Sequence, residues 1–600
     1  MRLPCAPSRV LRAVRSPLAF AHNGPRRWQH TTRPYDAAVV GAGITGLTAA
    51  YRLSQDPNCS KVTLYEKSPR VGGWLQSETI PVENGEVVFE YGPRTLRTAI
   101  PACLPLLDLI VDLGLHDDIL LTDKQSPAAT NRYVYYPDHL VRMPSPDPRL
   151  SPFSNFVGMA GTVLSEPLFK KFVWSVLSEP YKAPLDTKIA HHDESIADFV
   201  SRRLAPEVAD NLASALYHGI YAGDISRLSA QMMLGQFRNL EHDDRGVLVT
   251  YLHDVVSSGI KHMLLDDLLV LESMGEESYL KSLATLAHQS SVMTFKKGVG
   301  QLSDALATAL TKSGKVDVLL NTDIQSINKD EWSSDIMISP GKDQKPRQHN
   351  RVISTIPAPA LADKLDQRTR PNEVLPQASI DSLREHNYAV TVMVVNLYYP
   401  NPELLPVTGF GYLIPRSIPF EQNPELGLGV IFGSHSSVGQ DTAPGTKLTV
   451  MMGGHYWDGW KDSDYPDHES AVELACSMLE RHLGITDKPT VVRTRLQRNA
   501  IPQYTVGHLP RMQELSNSVR DEFDHRLGLA GSWYNGVGVV DCIRQAYMAT
   551  SYGVGALRVG PGASDRPWRK FNYQNWDLEG GISTAPVRHL GVYRSERKHY

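Results

Sequence analysis

The alternation of apolar and polar residues predicts a βαβ unit at the beginning of the folded chain. An apolar run at Tyr35–Val40 leads into a glycine-rich turn, a helix-like run from Thr45 to about Leu53, and a second apolar run at Lys61–Glu66. Short apolar runs bounded by turn residues are typical of strands, and the run between them has helical spacing. We therefore predict a strand, a helix and a second strand packed as one unit.

The pattern then becomes mostly helical before it returns to mixed strands and helices. A proline-rich crossover at 137–152 marks a domain boundary, and a helical region follows from about Ser165 to Ala287. Within this region Ser195 and Asp198 resemble a capping box at the start of an amphipathic helix. Helices are also predicted at Ala102–Leu113, along Leu302, Leu306 and Leu310, and beyond Val539, and strands at Val316–Leu320, Val352–Thr355, Ala389–Tyr399, Gly427–Gly433, Lys447–Gly454 and Leu527–Gly531.

The composition is that of an ordinary globular protein with a large core. The chain has 600 residues, of which 42% are hydrophobic and 21% charged, and its formal net charge is -4. A chain longer than about 300 residues is expected to form two or three lobes. The lack of a basic excess argues against nucleic acid as a partner. The five cysteines show no CxxC or Cys/His spacing, so we predict reduced thiols and no metal site.

The first 34 residues have a composition unlike that of the remaining chain. They contain seven arginines, several Ser and Thr, and no Asp or Glu, which is typical of a mitochondrial presequence. A secretory signal is excluded because Arg12 and Arg15 interrupt the apolar run Val10–Leu18. A disordered basic arm is the alternative. No later stretch has the roughly 18 uninterrupted apolar residues of a spanning helix, so we predict that any membrane attachment is peripheral or monotopic.

A dinucleotide-binding fingerprint occupies the turn of the βαβ unit. It reads Gly41-Ala42-Gly43-Ile44-Thr45-Gly46. Gly41 permits the tight turn, Gly43 lets the backbone approach a pyrophosphate, and Gly46 lets the helix pack closely on the strand. At the end of the second strand, Glu66 is placed to accept hydrogen bonds from ribose hydroxyls. A glycine-rich loop without a ligand is the alternative.

Two features favour FAD over NAD as the nucleotide. Arg70-Val71-Gly72-Gly73 follows Glu66 closely, and its paired glycines allow backbone contact with a pyrophosphate while Arg70 adds positive charge. Neither Gly553-Val554-Gly555 nor Gly298-Val299-Gly300 completes a second fingerprint. A separate nicotinamide site is therefore not expected.

A series of motifs resembles the protoporphyrinogen oxidase family. In chain order they are GAGITG, YEKSPRVGGW, FEYGPRT, NRYVYY, RRLAPEVADNLASALYHGIYAGD, STIPAPAL, GFGYLIP, IPQYTVGH and GVGVVDCI. The first and last are shared across the amine-oxidase-like flavoproteins, whereas GIYAGD, GFGYLIP and IPQYTVGH are more restricted. The resemblance extends from Tyr35 to about Gly555.

This resemblance implies an FAD site assembled from several segments. Its residues would be Gly41, Ala42, Gly43, Ile44, Thr45, Gly46, Glu66, Arg70, Gly73, Trp74, Gly92, Pro93, Arg94, Thr95, Ile324, Ser532, Val537, Gly538 and Val539. Ile324 would lie at the adenine end. The segment from Ser532 to Val539 would meet the isoalloxazine, where the start of the last helix would favour negative charge on the reduced flavin. Core packing for Trp74 and an ordinary ion pair for Arg94 are the alternatives.

For the substrate, the resemblance implies that Arg132 binds a propionate of protoporphyrinogen. A guanidinium binds a carboxylate bidentately and so fixes the orientation of a planar ligand. Phe410 would stack on a pyrrole ring, with its flanking glycines leaving room around the ring, and Val390 and Gly223 are weaker candidates for the lining. A surface ion pair for Arg132 and core packing for Phe410 are the alternatives.

One segment of the helical region has the composition of an interfacial helix. Apolar residues surround Lys170 and Lys171, namely Leu164, Leu168, Phe169, Phe172, Val173, Trp174, Val176 and Leu177. An internal amphipathic helix is the alternative. Monotopic attachment in the family favours a membrane contact for this segment.

The implied reaction is the six-electron oxidation of protoporphyrinogen IX to protoporphyrin IX in heme biosynthesis, with FAD as cofactor and molecular oxygen reduced to hydrogen peroxide. Flavin N5 would carry the chemistry, and no side chain is identified as an obligatory base. The implied setting is the mitochondrial inner membrane, on its intermembrane-space face, with a homodimer and hand-over of product to ferrochelatase as further expectations. An amine or polyene oxidase, a flavin-retaining tetrapyrrole carrier and a nicotinamide-dependent flavin reductase are the alternatives.

We therefore predict an α/β fold with three parts: a discontinuous Rossmann-like FAD-binding domain, a β-sheet-based substrate domain and a helical membrane-binding lobe. The predicted boundaries are a presequence at 1–34, the FAD-binding domain at 35–136, 291–356 and 501–560, the helical lobe at 137–290, the substrate domain at 357–500 and a C-terminal tail at 561–600.

Overall fold

The structure is a computed structural model of the chain. It describes residues 34–551 and 593–594, with gaps at 147–149, 184–192, 242–245, 254–259, 262–266, 268–273, 275–277, 331, 342–343 and 369–373. The predicted presequence, except for residue 34, and the predicted C-terminal tail, except for 593–594, lie outside the described residues.

A five-stranded parallel sheet, called here the nucleotide sheet, is assembled from three distant parts of the chain. From one edge to the other its strands are Val316–Leu319, Cys59–Tyr65, Tyr35–Val40, Arg351–Ser354 and Leu527–Leu529. Each coincides within two residues with a strand predicted from the sequence. Because the strands are parallel, the loops at their carboxyl ends meet at one edge of the sheet, which is where nucleotides bind to such folds.

Helices cover both faces of the nucleotide sheet. One face packs against Ile44–Gln55, Leu104–Asp112, Gly300–Ser313 and Val539–Ser551. The other face packs against Ala358–Leu365, Gln377–Glu385 and His508–Glu522. Leu302, Leu306 and Leu310 are fully buried, as their helical spacing predicts.

A seven-stranded sheet, called here the large sheet, forms the second layer of the molecule. In order across the sheet its strands are Val491–Pro502, Ala389–Tyr399, Thr446–Gly453, Gly427–Phe432, Gly411–Leu413, Tyr133–Tyr135 and Leu140–Arg142. Its neighbours are antiparallel except for the parallel pair Gly411–Leu413 and Tyr133–Tyr135. The helix His468–Leu483 packs on one face through Ala471, Ala475 and Met478.

Smaller sheets accompany the two large ones in the described residues. One contains Leu96–Arg97, Ser290–Phe295 and Ile119–Asp123, a second contains Ser326–Lys329, Ile336–Ser339 and Arg347–His349, and a third pairs Ser77–Val82 with Gly85–Glu90. Two residues of the strand Ser290–Phe295 contact site residues: Thr294 Oγ1 donates to the Arg94 carbonyl oxygen at 2.9 Å, and Ser291 Oγ accepts from Arg132 at 3.5 Å. The strand therefore links two of the predicted site residues.

Two predicted boundaries divide elements that the fold keeps together. The boundary between residues 136 and 137 falls inside the hairpin Tyr133–Tyr135 and Leu140–Arg142, and both of its strands belong to the large sheet. The helices Ala358–Leu365 and Gln377–Glu385, which we assigned to the substrate domain, pack on the nucleotide sheet. Their amphipathic spacing is the same for either partner, so the sequence pattern could not choose between the two sheets.

The chain between Tyr135 and the strand Ser290–Phe295 is rich in short helices, as predicted, and a further short helix lies just before this part of the chain. In the described residues they are Pro127–Thr130, Pro152–Ser165, Phe172–Ser178, Ile196–Arg203, Pro206–Val208, Ala209–Ala213, Ser214–Tyr221, Ala230–Met233, Gly235–Leu240, Val247–Leu252 and Ser278–Gln289. The N-cap of the predicted capping box is confirmed, since Ser195 Oγ accepts a hydrogen bond from the Asp198 N–H at 3.0 Å, and the Asp198 carboxylate accepts from Ser195 Oγ at 2.6 Å.

The predicted interfacial segment is not one continuous helix. A helix ends at Ser165, a 3-10 turn covers Pro167–Phe169, and a new helix starts at Phe172 after Lys171 adopts a left-handed conformation. Leu168 and Phe169 are buried in the interior, so assigning them to an interface was wrong. Pro167 interrupts the helix because the residue before a proline favours an extended conformation. Within the described part of the chain, we find no helix with the length and apolar character needed to cross a bilayer.

Candidate functional site

The fingerprint loop has the geometry that each of its glycines was predicted to provide. Gly41 has a positive φ of 95°, which only glycine adopts readily. A Cβ on Gly46 would lie 1.8 Å from the carbonyl oxygen of Gly41, so the helix packs directly on the strand end. A Cβ on Gly43 would have no described atom within 4 Å, so the backbone at this position is open to a ligand.

Glu66 joins the second strand to the fingerprint loop. Its carboxylate accepts hydrogen bonds from the Ala42 N–H at 2.7 Å and the Ser68 N–H at 2.8 Å, one on each oxygen. Each oxygen keeps a free lone pair that a ribose hydroxyl could use. The fingerprint helix starts without a side-chain cap or an acidic residue in its first turn, and Ile44 and Thr45 are buried. Its first N–H groups are therefore free for an anion.

The second glycine-rich segment lies directly against the first. The Gly72 N–H donates to the carbonyl oxygen of Ala42 at 2.8 Å, and a Cβ on Gly73 would lie 3.1 Å from Gly43 Cα. Arg70 donates to the carbonyl oxygen of Gly73 at 2.6 Å. Burial, followed by the charge of Arg495, lowers the pKa of Arg70. Arg70 therefore orders this loop in addition to the positive charge that we predicted for it.

Trp74 and Gly92 continue the line of predicted contacts away from the fingerprint. A Cβ on Gly92 would lie 2.1 Å from the Trp74 carbonyl oxygen, which explains why a glycine occupies this position. The Trp74 residue is 41% exposed, and this rules out core packing as its role. Pro93 and Thr95 are half-buried beside it.

Arg94 is a buried cation that forms no ion pair with any carboxylate of the described residues. The residue is 9% exposed, and its only hydrogen bond to a described side chain is to the sulfur of Met451 at 3.9 Å. Burial lowers the pKa of Arg94 to about 10, and the charge of Glu90 opposes this shift. No described carboxylate forms an ion pair with it, so the ordinary ion pair is excluded as its role. A buried guanidinium without a counter-charge is costly unless a ligand supplies hydrogen-bond acceptors.

The last helix begins beside the fingerprint helix. A Cβ on Gly531 would lie 3.7 Å from Thr45 Oγ1, and the chain then passes through Ser532 and Val537 to Gly538 at the surface. Val539 is the first residue of the helix Val539–Ser551 and is buried. The predicted isoalloxazine contacts and the fingerprint therefore lie at the same edge of the nucleotide sheet.

The start of the last helix also carries a negative charge, which the sequence prediction left out. Asp541 stands in the first turn of the helix, and its carboxylate lies next to Gly536 and Gly538. A carboxylate at this position offsets the positive end of the helix dipole. Arg94, which has no ion-paired carboxylate among the described residues, is therefore better suited than this helix start to hold an anionic group.

Ile324 follows the edge strand Val316–Leu319 and lies on the same side as Glu66. Its side chain is 3% exposed and packs among Val40 and Tyr65, so the side chain belongs to the core. The nearby Thr322 N–H donates to the carbonyl oxygen of Glu66 at 2.8 Å. A role for Ile324 at the adenine end would therefore rest on its backbone.

The fold brings the predicted substrate residues Arg132 and Phe410 together. The Arg132 guanidinium lies over the Phe410 ring, with its carbon 5.5 Å from the ring centroid. Arg132 is exposed, and its closest described hydrogen-bond partner is Ser291 Oγ at 3.5 Å. Partial burial, followed by the charge of Arg97, lowers the pKa of Arg132. No described carboxylate pairs with Arg132, which excludes a surface ion pair with those residues as its role. Phe410 is only half-buried, so it is not a core residue.

The glycines that flank Phe410 have a different function from the one we predicted. A Cβ on Gly409 would lie 2.5 Å from the Asn131 carbonyl oxygen, and one on Gly411 would lie 2.1 Å from the Val430 carbonyl oxygen. The glycines therefore admit the backbones of neighbouring segments, and they do not provide space around the aromatic ring.

Val390, on the strand Ala389–Tyr399, and Gly223 lie close to each other. Val390 is 1% exposed and packs in a small cluster with Ala222 and Leu428. A Cβ on Gly223 would lie 2.1 Å from Gln503 Oε1. Met451 packs against the same cluster and contacts Arg94, which places Val390 and Gly223 near the buried cation.

Comparison with known proteins identifies the family. A family model of flavin containing amine oxidoreductases matches residues 44–551. A protoporphyrinogen oxidase from Schizosaccharomyces pombe is 32% identical over 515 residues, which are 85% of this chain and 96% of that protein. The protoporphyrinogen oxidase of Homo sapiens is 32% identical over 519 residues, with the same coverage of 85% and 96%. The chain belongs to the protoporphyrinogen oxidase family.

Solved structures agree on the fold. A crystal structure from Exiguobacterium sp. 255-15 has a TM-score of 0.61 at 21% identity, covering 86% of this chain and 97% of that one. Cyclohexylamine oxidase from Brevibacterium oxydans IH-35A has a TM-score of 0.54 at 16% identity, covering 86% and 99%. At these identities the likeness concerns the fold, which is the FAD-binding α/β fold of the amine oxidases.

The chain is an FAD-dependent oxidoreductase, and the residues present fit this cofactor. The open backbone at Gly43 adjoins the uncapped start of the fingerprint helix, as a pyrophosphate requires. At the other end of the site, the buried guanidinium of Arg94 lacks an acidic partner among the described residues, as expected if the flavin supplies acceptors.

Sequence reasoning missed Arg97. It is exposed on the short strand Leu96–Arg97, and its charge contributes to lowering the pKa of Arg132. No described residue accepts a hydrogen bond from its side chain. The available signal was its position three residues after Arg94 in the FEYGPRT segment, but an isolated exposed arginine is too common to be singled out.

Proposed function

We propose that the chain oxidises protoporphyrinogen IX to protoporphyrin IX with bound FAD and molecular oxygen. Three successive two-electron oxidations remove six hydrogens from the macrocycle, and three oxygen molecules become three molecules of hydrogen peroxide. Bound FAD would accept each electron pair from the macrocycle and pass it to oxygen. The curated relatives that support this proposal carry the name protoporphyrinogen oxidase and are covered almost completely by the chain.

The observation that supports this substrate best is the pair formed by Arg132 and Phe410. The guanidinium carbon of Arg132 lies 5.5 Å from the centroid of the half-buried Phe410 ring, and no described carboxylate pairs with the guanidinium. An aromatic ring beside a free cation suits a ligand that combines a flat apolar ring system with a carboxylate. Amine and polyene substrates carry no carboxylate, and so they would leave Arg132 without a partner.

Arg97 extends this argument to the second propionate of the macrocycle. The positive charge of Arg97 repels that of Arg132. A dianionic ligand would relieve this repulsion between the two guanidinium groups. We therefore assign one propionate to Arg132 and the other to the region of Arg97. The chain's contribution is orientation of the substrate, since the electron transfer itself occurs at the cofactor.

The test of this function uses Arg132→Gln with the porphyrinogen and its dimethyl ester. A charge-assisted hydrogen bond contributes about 1.5–3 kcal/mol, and exposure of Arg132 places the effect near the lower limit, so we expect roughly a tenfold rise in KM for the free acid. The ester should be oxidised equally by both enzymes, and the bound FAD should be unchanged. Arg347→Gln, an exposed arginine of a separate sheet, is the matched control. Equal KM values for the free acid would contradict the assignment of Arg132.

We also infer contact with the surface of the mitochondrial inner membrane. The helices Pro152–Ser165 and Phe172–Ser178 expose large apolar side chains, with Phe153 and Trp174 each 76% exposed and Leu164 75% exposed. Such side chains adjacent to lysines suit the interface of an anionic bilayer. A presequence at 1–34, attachment on the intermembrane-space face, a homodimer and transfer of product to ferrochelatase remain predictions from the sequence and the family.

A further inference from the structure

The restricted motif IPQYTVGH lies beneath the turn that leads into the last helix. It covers residues 501–508, from the end of the strand Val491–Pro502 to the start of the helix His508–Glu522. Tyr504 and His508 are both 0% exposed, and their rings stack with centroids 4.2 Å apart. His386, which follows the helix Gln377–Glu385, lies against both rings, nearly parallel to Tyr504 with centroids 6.3 Å apart and tilted by 48° to His508 with centroids 4.9 Å apart. These three residues are called the aromatic clamp.

The aromatic clamp binds the backbone of the turn 532–536 at four points. Tyr504 Oη donates to the Ser532 carbonyl oxygen at 2.5 Å and accepts from the Gly536 N–H at 2.8 Å. His508 Nε2 binds the Tyr534 carbonyl oxygen at 2.8 Å, and His386 Nε2 binds the Trp533 carbonyl oxygen. Three consecutive carbonyl groups of the turn are therefore each held by a different ring.

The two histidines hold the turn as neutral donors. Burial lowers the pKa of His386 to about 4. Burial, and after it the neighbouring His386, lowers the pKa of His508 well below its ordinary value. A neutral imidazole carries one N–H, and the contacts with carbonyl oxygens place it on Nε2 in both rings. The clamp therefore fixes the direction of three carbonyls without adding charge to the site.

The turn held in this way is the segment that we assigned to the isoalloxazine. Gly531 lies beside Thr45 of the fingerprint helix, and Ser532, Val537, Gly538 and Val539 follow. Gln545 of the last helix completes the frame, since it accepts from the Gly531 N–H at 3.1 Å and donates to the Asn535 carbonyl oxygen at 2.9 Å. We propose that Tyr504, His508 and His386 are positioning residues that preorganise this turn for the flavin.

Preorganisation predicts a specific effect on cofactor binding. If the turn lost a clamp bond, FAD would have to order it on binding, and affinity would fall. The inference rests on the assignment of the turn to the flavin and is independent of which substrate the enzyme oxidises. A clamp with a purely structural role would instead change the stability of the apoprotein and leave the affinity for FAD unaltered.

The experiment measures the Kd for FAD by titrating the full-length apoprotein, together with the visible circular dichroism of the bound flavin. Tyr504→Phe keeps the stacked ring and removes both hydroxyl hydrogen bonds, so we expect roughly a tenfold higher Kd. Tyr534→Phe is the matched control, because the Tyr534 hydroxyl is buried in the same turn without a hydrogen-bond partner in the described structure. That variant should bind FAD with the wild-type Kd and give the wild-type dichroism.

A second pair of variants decides the question if Tyr504→Phe does not fold. His508→Gln keeps an N–H donor and should bind FAD nearly as tightly as the wild type, whereas His508→Leu should show the higher Kd and an altered dichroism. Wild-type affinity in Tyr504→Phe, or in His508→Leu where Tyr504→Phe does not fold, would overturn the proposal. Failure of the wild type to oxidise protoporphyrinogen would overturn the proposed function alone, because FAD binding is measured without substrate.

Discussion

Replacing Gly43 by alanine separates what the cofactor requires from what the fold requires. Gly43 has φ of -68° and ψ of 178°, which alanine also adopts, and the added methyl group would meet no described atom within 4 Å. Alanine is a poorer helix N-cap than glycine, but it also lowers the entropy of the unfolded chain. The two effects oppose each other, and we expect the stability of the apoprotein to change by less than about 1 kcal/mol.

The same methyl group would stand where the pyrophosphate must approach the backbone. Loss of one charge-assisted hydrogen bond from an N–H to phosphate costs about 1.5–3 kcal/mol, which corresponds to roughly 10- to 150-fold in the Kd for FAD. Gly46→Ala provides the contrast, because its Cβ would lie 1.8 Å from the Gly41 carbonyl oxygen, which is backbone and cannot move aside. That substitution should destabilise the apoprotein itself, by about 1–3 kcal/mol or more.

The assay combines urea unfolding of each apoprotein with titration of FAD by fluorescence quenching. We expect Gly43→Ala to unfold as the wild type does while binding FAD at least tenfold more weakly, and Gly46→Ala to unfold at lower urea. Wild-type affinity in a folded Gly43→Ala protein would mean that no ligand approaches this backbone, and the assignment of the fingerprint would then be refuted.

Three further predictions follow from buried or exposed groups. Arg94→Met should stabilise the apoprotein, because it removes a buried charge that forms no ion pair with a described carboxylate, and it should weaken FAD binding. A less stable apoprotein would contradict this explanation. Burial and the neighbouring His455 lower the pKa of His218 to about 3. Because the unfolded chain takes up a proton on this histidine below about pH 6.5, the free energy of unfolding should fall with decreasing pH by at most roughly 1.4 kcal/mol per pH unit. His218→Asn should reduce that slope in urea titrations from pH 7.5 to 5, and parallel curves would exclude His218 as a cause. Replacing Phe153 and Trp174 by serine should reduce the fraction of protein that sediments with anionic vesicles. Trp332→Ser is the control, because Trp332 is 90% exposed, and it should leave this fraction unchanged. Equal losses in the two variants would argue against a localised membrane surface.

Elements with strong local signals were predicted well. The strand Tyr35–Val40, the fingerprint turn and the helix carrying Leu302, Leu306 and Leu310 were all found where the sequence places them. Their positions depend on backbone conformations that glycine permits and on the spacing of apolar side chains, and both are properties of neighbouring residues.

Partners that are distant in the chain could not be predicted in this way. The sequence indicated Arg94, Arg132 and Phe410 as separate candidates, but only the fold shows that Arg94 has no acidic partner among the described residues and that Arg132 lies over the Phe410 ring. It also showed that the glycines beside Phe410 accommodate neighbouring segments and that Tyr504 holds the turn after Gly531.

The sequence by itself therefore determined the cofactor class and the location of its fingerprint, because the FAD loop requires particular residues at fixed short spacings. Tertiary structure decided which charges remain without partners, which apolar side chains stay exposed and which backbone carbonyls are held. These properties depend on which distant segment covers each group, and the desolvation that makes them energetically significant arises only when the segments pack together.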